Sequence, residues 1–153
     1  MTKSELPTHL GLDLSLAYQA WQRRFIESMR AEGVGWLTPG RATLVGYIPR
    51  DGCRQAELLE KTGYSKQALQ QQLDALERAE VIRRDVDPAD KRGRIIRFTE
   101  NGLAGLHIGD QLKSRLEAEF ASLVGNTEIA ELRRRLQRFA EAVRSTDNDA
   151  SMD

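Results

Sequence analysis

The stretch "DVDPADKRGRIIRFTENG", residues 85–102, decides how the rest of the chain is read. Pro88 and Gly93 interrupt it, and three aspartates (Asp85, Asp87, Asp90) stand beside three cations (Lys91, Arg92, Arg94). A segment of this composition is expected to project into solvent as a loop. The runs on either side, "VIRRD" (81–85) and "RIIRF" (94–98), are rich in β-branched residues. In the second, Ile96 and Phe98 fall on one face and Ile95 and Arg97 on the other, the period of a half-buried strand. Two such strands around a charged loop predict a β-hairpin with a charged tip.

Upstream of the hairpin the pattern is helical. Leu14, Tyr18, Trp21, Phe25 and Met29 recur at steps of three and four, predicting one long helix from Leu10 to about Glu32 that ends at Gly33 and Gly35. Thr38-Pro39 reads as an N-cap followed by proline in the first turn of a second, short helix that stops at Pro49. A third helix, "QAELLEKT", runs to Gly63, a residue that tolerates the left-handed backbone of a tight turn. Ser65 then caps "KQALQQQLDALERAE", in which Leu69, Leu73 and Leu76 form the buried stripe. At about 100° per residue, Gln67, Gln71, Asp74 and Arg78 point away from that stripe. Two helices joined by a glycine-containing turn form a helix-turn-helix, to which the hairpin is attached.

Downstream, Thr99 and Asn101-Gly102 open a fifth helix carrying Leu103, Leu106, Leu112, Leu116, Phe120 and Leu123. Gly125-Asn126 breaks it, and Thr127 is expected to cap a sixth. There Ile129, Leu132, Leu136, Phe139 and Val143 alternate by three and four, the spacing of a helix that pairs with another helix. The polar residues 147–153 read as a disordered tail.

Composition bounds the function. With 153 residues, 40% apolar and 30% charged, the chain suits one ordinary domain. No apolar run approaches the roughly 18 residues of a membrane span, and "MTKSELPTHLG" lacks the apolar stretch of a signal peptide, so a cytoplasmic protein is expected. The single Cys53 excludes an internal disulfide, and His9 and His107 have no metal-ligand spacing. No nucleophile–base pair and no glycine-rich phosphate loop is present, so neither an enzyme nor a cofactor or metal is expected. A net charge of zero argues against a nucleic-acid partner, yet residues 83–97 hold six cations against three acids while residues 101–153 hold seven against nine. The positive excess sits on the hairpin.

The order of elements, together with "QAELLEKTGYSKQALQQQLDALERAEVIRRDVDPADKRGRIIRFTENG", resembles the MarR family of bacterial transcriptional regulators. The family's Asp-x-Arg falls on Asp90-Lys91-Arg92 and its Thr-x-x-Gly on Thr99 to Gly102, whereas Ala89 stands where the doubled form of the motif has its first arginine. The resemblance implies a mainly α fold with a small β-hairpin. A winged helix-turn-helix of residues 38–102 would be joined to a helical dimerisation region of residues 1–37 and 103–146. It also implies a homodimer on palindromic double-stranded DNA, often released by a small-molecule effector.

In that frame Ser65, Lys66, Gln67, Gln70 and Gln71 belong to a helix in the major groove, where a glutamine amide matches adenine. Asp90, Lys91, Arg92 and Arg94 form a wing narrow enough for the minor groove. Asp90 would hold Arg92 in one orientation through backbone N–H groups or the guanidinium. Arg54 is a candidate phosphate contact, with a purely solvated role equally open. Leu14, Trp21, Ile129, Leu132, Leu136 and Phe139 are the candidate dimer residues. The resemblance also implies an effector pocket lined by Trp21, Phe25, Trp36 and Tyr47, for which core packing is the competing reading. Cys53 reads as a small packed residue. The contrasting function is a winged helix that binds protein instead of DNA.

Overall fold

The computed structural model describes residues 8–150. Its elements are α1 (Leu10–Ala31), α2 (Pro39–Gly46), β1 (Cys53–Arg54), α3 (Gln55–Thr62), α4 (Lys66–Arg78), β2 (Ile82–Val86), β3 (Arg94–Phe98), α5 (Glu100–Val124) and α6 (Asn126–Ala150). The chain divides into two compact units, residues 1–112 and 113–153, and α5 runs through the division.

In the first unit the strands form an antiparallel sheet of order β1-β3-β2, with Cys53 opposite Ile96 and Ile82 opposite Phe98. The two-residue β1 was not expected from the sequence, because a segment that short has no alternation to read. Leu58 of α3, Leu69, Leu73 and Leu76 of α4, Val81, and Ile96 and Phe98 of β3 are buried in one core with Leu44 and Ile48. The leucine stripe of α4 thus faces the sheet and α2, which leaves its opposite face for solvent or a partner.

Three glycines of α5 let other segments come close. A Cβ on Gly105 would stand 3.0 Å from the Trp36 ring, and one on Gly109 would stand 3.5 Å from Phe25. Phe25, Ile26 and Met29 of α1 are buried in this unit. α1 and the first half of α5 thus pack with the winged helix. The spacing of apolar residues marked these helices but not the glycine face that admits their neighbours.

Gly102 makes the tightest approach, since a Cβ there would lie 2.0 Å from the Val81 carbonyl oxygen. The contact is fixed by Thr99, whose Oγ1 accepts from the Gly102 N–H at 3.0 Å and donates to the carbonyls of Glu80 and Val81. Asn101 Nδ2 adds contacts of 3.4 Å to the carbonyls of Ala79 and Glu80. Glu80 itself holds a φ of 54°. Thr-x-x-Gly is thus a clasp between the end of α4 and the start of α5.

The second unit holds the rest of α5 and α6. Gly125, at φ 112°, turns the chain; its N–H bonds the Ala121 carbonyl at 2.8 Å and its carbonyl accepts from Ile129 N–H at 3.2 Å. The sixth helix therefore opens at Asn126, and Thr127 lies inside it instead of capping it. Arg133 reaches Glu117 of α5 at 2.6 Å, and Glu131 is held by Arg134 and Arg135. Those two guanidiniums pull the Glu131 carboxyl down to about 2. Leu132, Leu136, Phe139 and Val143 of α6 are all exposed. The helix continues to Ala150, since no Gly or Pro follows Gly125 to end it. The expected disordered tail is thus helical through residue 150, and residues 151–153 lie outside the described residues.

Gly102→Ala is expected to destabilise the fold by about 2–3 kcal/mol, because the new methyl group meets backbone that cannot rotate away. Gly46→Ala, which meets nothing within 4 Å, should stay within about 0.5 kcal/mol of the unchanged protein. Denaturant unfolding of both variants checks the pair.

Candidate nucleic-acid interface

Ser65 caps α4 by accepting from the Ala68 N–H at 3.1 Å, and Gly63 at φ 64° supplies the left-handed turn from α3. With its leucines buried, α4 presents Lys66, Gln67 and Gln71 as exposed side chains. An open groove runs beside its N-terminal half. Gln55, Ala56 and Leu59 of α3 line it with Lys66, Gln67, Leu69 and Gln70 of α4 and with Arg92, Gly93 and Arg94 of the hairpin. Two elements separated in sequence by the whole of β2 thus contribute side chains to one surface.

The hairpin tip is built on an aspartate that the sequence reading assigned to solvent. Asp87 is 3% exposed. Its Oδ1 accepts from the Ala89 N–H at 2.9 Å, and its Oδ2 accepts from Arg54 Nε at 2.7 Å. The Ala89 N–H first, and Arg54 second, hold this carboxyl below the ordinary aspartate range. The backbone closes the turn through Asp87 N–H to the Gly93 carbonyl at 3.2 Å and Gly93 N–H to the Asp90 carbonyl at 2.8 Å. A charged loop hides such a residue from composition, because burial here follows from local hydrogen bonds that satisfy the carboxylate. Arg54 thereby ties β1 to the wing through its Nε, while its side chain stays half exposed.

Asp90 Oδ1 accepts from the Arg92 backbone N–H at 3.0 Å. It shapes the chain under the arginine and leaves the guanidinium free. Arg94 folds back onto the carbonyls of Gly93 and Lys91, at 2.9 and 3.4 Å. Lys91 and Arg92 are exposed, and among the described residues neither side chain has an ion-pair or hydrogen-bond partner. The remaining cations of the positive stretch are engaged. Arg83 meets Asp85 at 3.2 Å, and Arg97 meets Asp85 at 3.6 Å and the Asp51 carbonyl at 2.9 Å. The usable positive charge is therefore at the tip, not along the strands.

Arg84 of β2 is engaged by helix α4. Its guanidinium lies against Asp74 at 2.7 Å and against Glu77 of α4, with Nε to Glu77 Oε2 at 3.0 Å. The Glu77 side chain also takes the Arg84 backbone N–H at 3.2 Å. This bonding holds the Glu77 carboxyl below its ordinary value and the arginine above its own. The signal available in the sequence was Asp74 and Glu77 one helical step apart, but their partner comes from a strand.

Trp21 stacks on Phe25 with ring centroids 5.1 Å apart, whereas Trp36 packs on Gly105 and Tyr47 is exposed. Leu14, Trp21 and Ile129 are half-buried, and Leu132, Leu136 and Phe139 are exposed. Cys53 lies on β1 against the core, where burial and the nearby Glu57 push its thiol up, away from the thiolate needed for redox chemistry. Among the described residues no group of acids, histidines and cysteine is placed to hold a metal ion, and no helix is long and apolar enough to cross a membrane.

A capped second helix of a helix-turn-helix and a hairpin lining the same groove define a winged helix-turn-helix fold. Residues 37–93 match the model of the MarR family. A crystal structure of MarR is similar over 97% of this chain and 99% of its own length, with a TM-score of 0.75 and 23% identity. A mutant MarR from E. coli complexed with operator DNA is similar over 85% and 92%, with a TM-score of 0.69 and 23% identity. The PcaV regulator from Streptomyces coelicolor, in complex with its natural ligand, is similar over 94% and 99%, with a TM-score of 0.67 and 22% identity. These likenesses establish a shared fold. No curated protein matches the chain significantly.

The depressed Asp87 carboxyl fixes the sign of one pH dependence. The folded state favours its ionised form, so its contribution to stability is full above an unfolded aspartate's value of about 3.9. It is lost as pH falls through the lower folded value. Asp87→Asn should lower the denaturant midpoint at pH 7 and flatten the acid limb of the midpoint against pH. An unaltered acid limb would show that the wing does not depend on this carboxylate.

Proposed function

We propose that the protein is a sequence-specific DNA-binding transcriptional regulator that engages a palindromic operator as a homodimer in the cytoplasm. The observation that carries this reading is the single groove shared by Lys66, Gln67 and Gln70 of the helix and by Arg92 and Arg94 of the wing. A helix bearing amides suits base edges in the major groove. An unpaired arginine on a narrow hairpin suits the negative potential of the minor groove. The operator complex of the similar E. coli protein supports the reading. The ligand bound to the similar PcaV regulator supports a small-molecule effector that releases the DNA. Arg92→Ala should weaken binding to the selected operator by roughly 1–3 kcal/mol without moving the melting temperature. Unchanged affinity in a mobility-shift titration counts against the wing. Affinity for any duplex should also fall steeply as salt rises, which separates this function from a protein-binding module.

The dimer is assigned to residues 1–37 and 103–146. The support is the exposed row of Leu132, Leu136, Phe139 and Val143 on α6, an apolar face of the kind a second helix covers. A two-fold pairing of two copies sets two recognition helices against two half-sites. Replacing Leu132 and Leu136 together by Glu should give a monomer in light scattering and lower operator affinity at least tenfold, about 1.4 kcal/mol. A double variant that stays dimeric would place the interface elsewhere.

A further inference from the structure

Gln70 differs from the other glutamines of the groove in that its amide is held at both ends. Its Nε2 donates to Asp74 Oδ1 at 2.9 Å, and its Oε1 accepts from Gln55 Nε2 at 3.5 Å. Asp74 is in turn fixed, because the same Oδ1 takes the Arg84 guanidinium at 2.7 Å. Arg84 is anchored independently on Glu77 through its backbone N–H and its Nε. A chain of hydrogen bonds thus runs from Arg84 of the wing strand through Asp74 of α4 to the Gln70 amide in the groove.

We propose that Asp74, held by Arg84, is a positioning residue that sets the direction of the Gln70 amide, so that Gln70 selects adenine at one position of each half-site. This inference rests on the DNA-binding reading and names a specificity element within it. Along α4 the amide oxygen faces Gln55 and the nitrogen faces Asp74. One oxygen lone pair and one N–H then remain for a base, in a fixed order. Adenine offers the matching pair in the major groove: its N6 amino group donates to the oxygen and its N7 accepts from the N–H. A reversed amide would set donor against donor and acceptor against acceptor. Carboxylates accept and never donate, so Asp74 enforces the nitrogen end by its chemistry.

The test is a selection from random duplexes of about 30 base pairs, followed by titration of the selected duplex and its single-base variants. The wild-type protein, Gln70→Ala, Asp74→Ala and Asp74→Asn are compared. Wild type should enrich adenine at one position per half-site, and Gln70→Ala should lose that preference. Asp74→Ala should reduce it roughly three- to tenfold, the effect of one hydrogen bond to a charged group in a wet site, while the other positions keep their ranking. Asp74→Asn removes the same charge but keeps an acceptor oxygen, so it should retain most of the preference. Equal losses in the two Asp74 variants would mean that charge, not the hydrogen bond, is responsible, and would overturn the proposal. So would an unchanged preference in Asp74→Ala, or an equal weakening at every position. A selected motif that Gln70→Ala leaves intact defeats the proposal and spares the DNA-binding reading. A wild-type protein that enriches no motif defeats both. Asp74 sits at the surface edge of α4 away from its buried leucines, so each variant should melt as a folded protein, which thermal unfolding monitored by circular dichroism checks.

Discussion

The Arg84 guanidinium, lodged between Asp74 and Glu77, is the contact on which the geometry of the interface depends. A hairpin and a helix that meet only through apolar side chains can slide, because hydrophobic contact has no preferred direction. A planar guanidinium with two carboxylates fixes both distance and angle. The arginine side chain is only 16% exposed while both acids are more open to water, so solvent screening tempers the strength of the pairs but not their direction. Removing the guanidinium would leave solvated carboxylates and an unregistered wing, not a collapsed core.

Two further ties complete the frame. Arg54 and the buried Asp87 hold the wing tip to the strand that precedes α3. Thr99, Asn101 and the close approach of Gly102 to Val81 clasp the end of α4 to the start of α5. Helix α4 is therefore positioned from its C-terminal end by α5 and along its side by β2, and its N-terminal half stays open to the groove. Most of the cations that suggested a nucleic-acid surface serve this frame. The ones left over, Lys91 and Arg92, stand at the one place where a hairpin can reach a groove. Zero net charge and the proposed DNA-binding surface are compatible for that reason: paired charges cancel within the protein, and a few unpaired ones at the tip remain.

Much of this was legible in the amino-acid order. The long first helix, the Thr38-Pro39 start of α2, the Gly63 turn, the Ser65 cap and the leucines of α4 are local features, set by periodicity and by residues with one good backbone role. So were the two wing strands, since Ile96 and Phe98 alternate with Ile95 and Arg97, and so was the family resemblance carried by Asp90-Lys91-Arg92 and Thr99 to Gly102. What the sequence could not decide was which charges pair. Asp87 looks like any loop aspartate until Arg54, 33 positions away, and the Ala89 N–H are brought to it. Arg84 looks like a surface cation until strand and helix fold together. The glycines of α5 look like breaks in a helix until Trp36 and Phe25 lie against them. The physical reason is range. Caps, turns and periodic stripes are settled within a few residues, whereas ion pairs, close backbone approaches and the burial of a polar group exist only once distant segments share a surface.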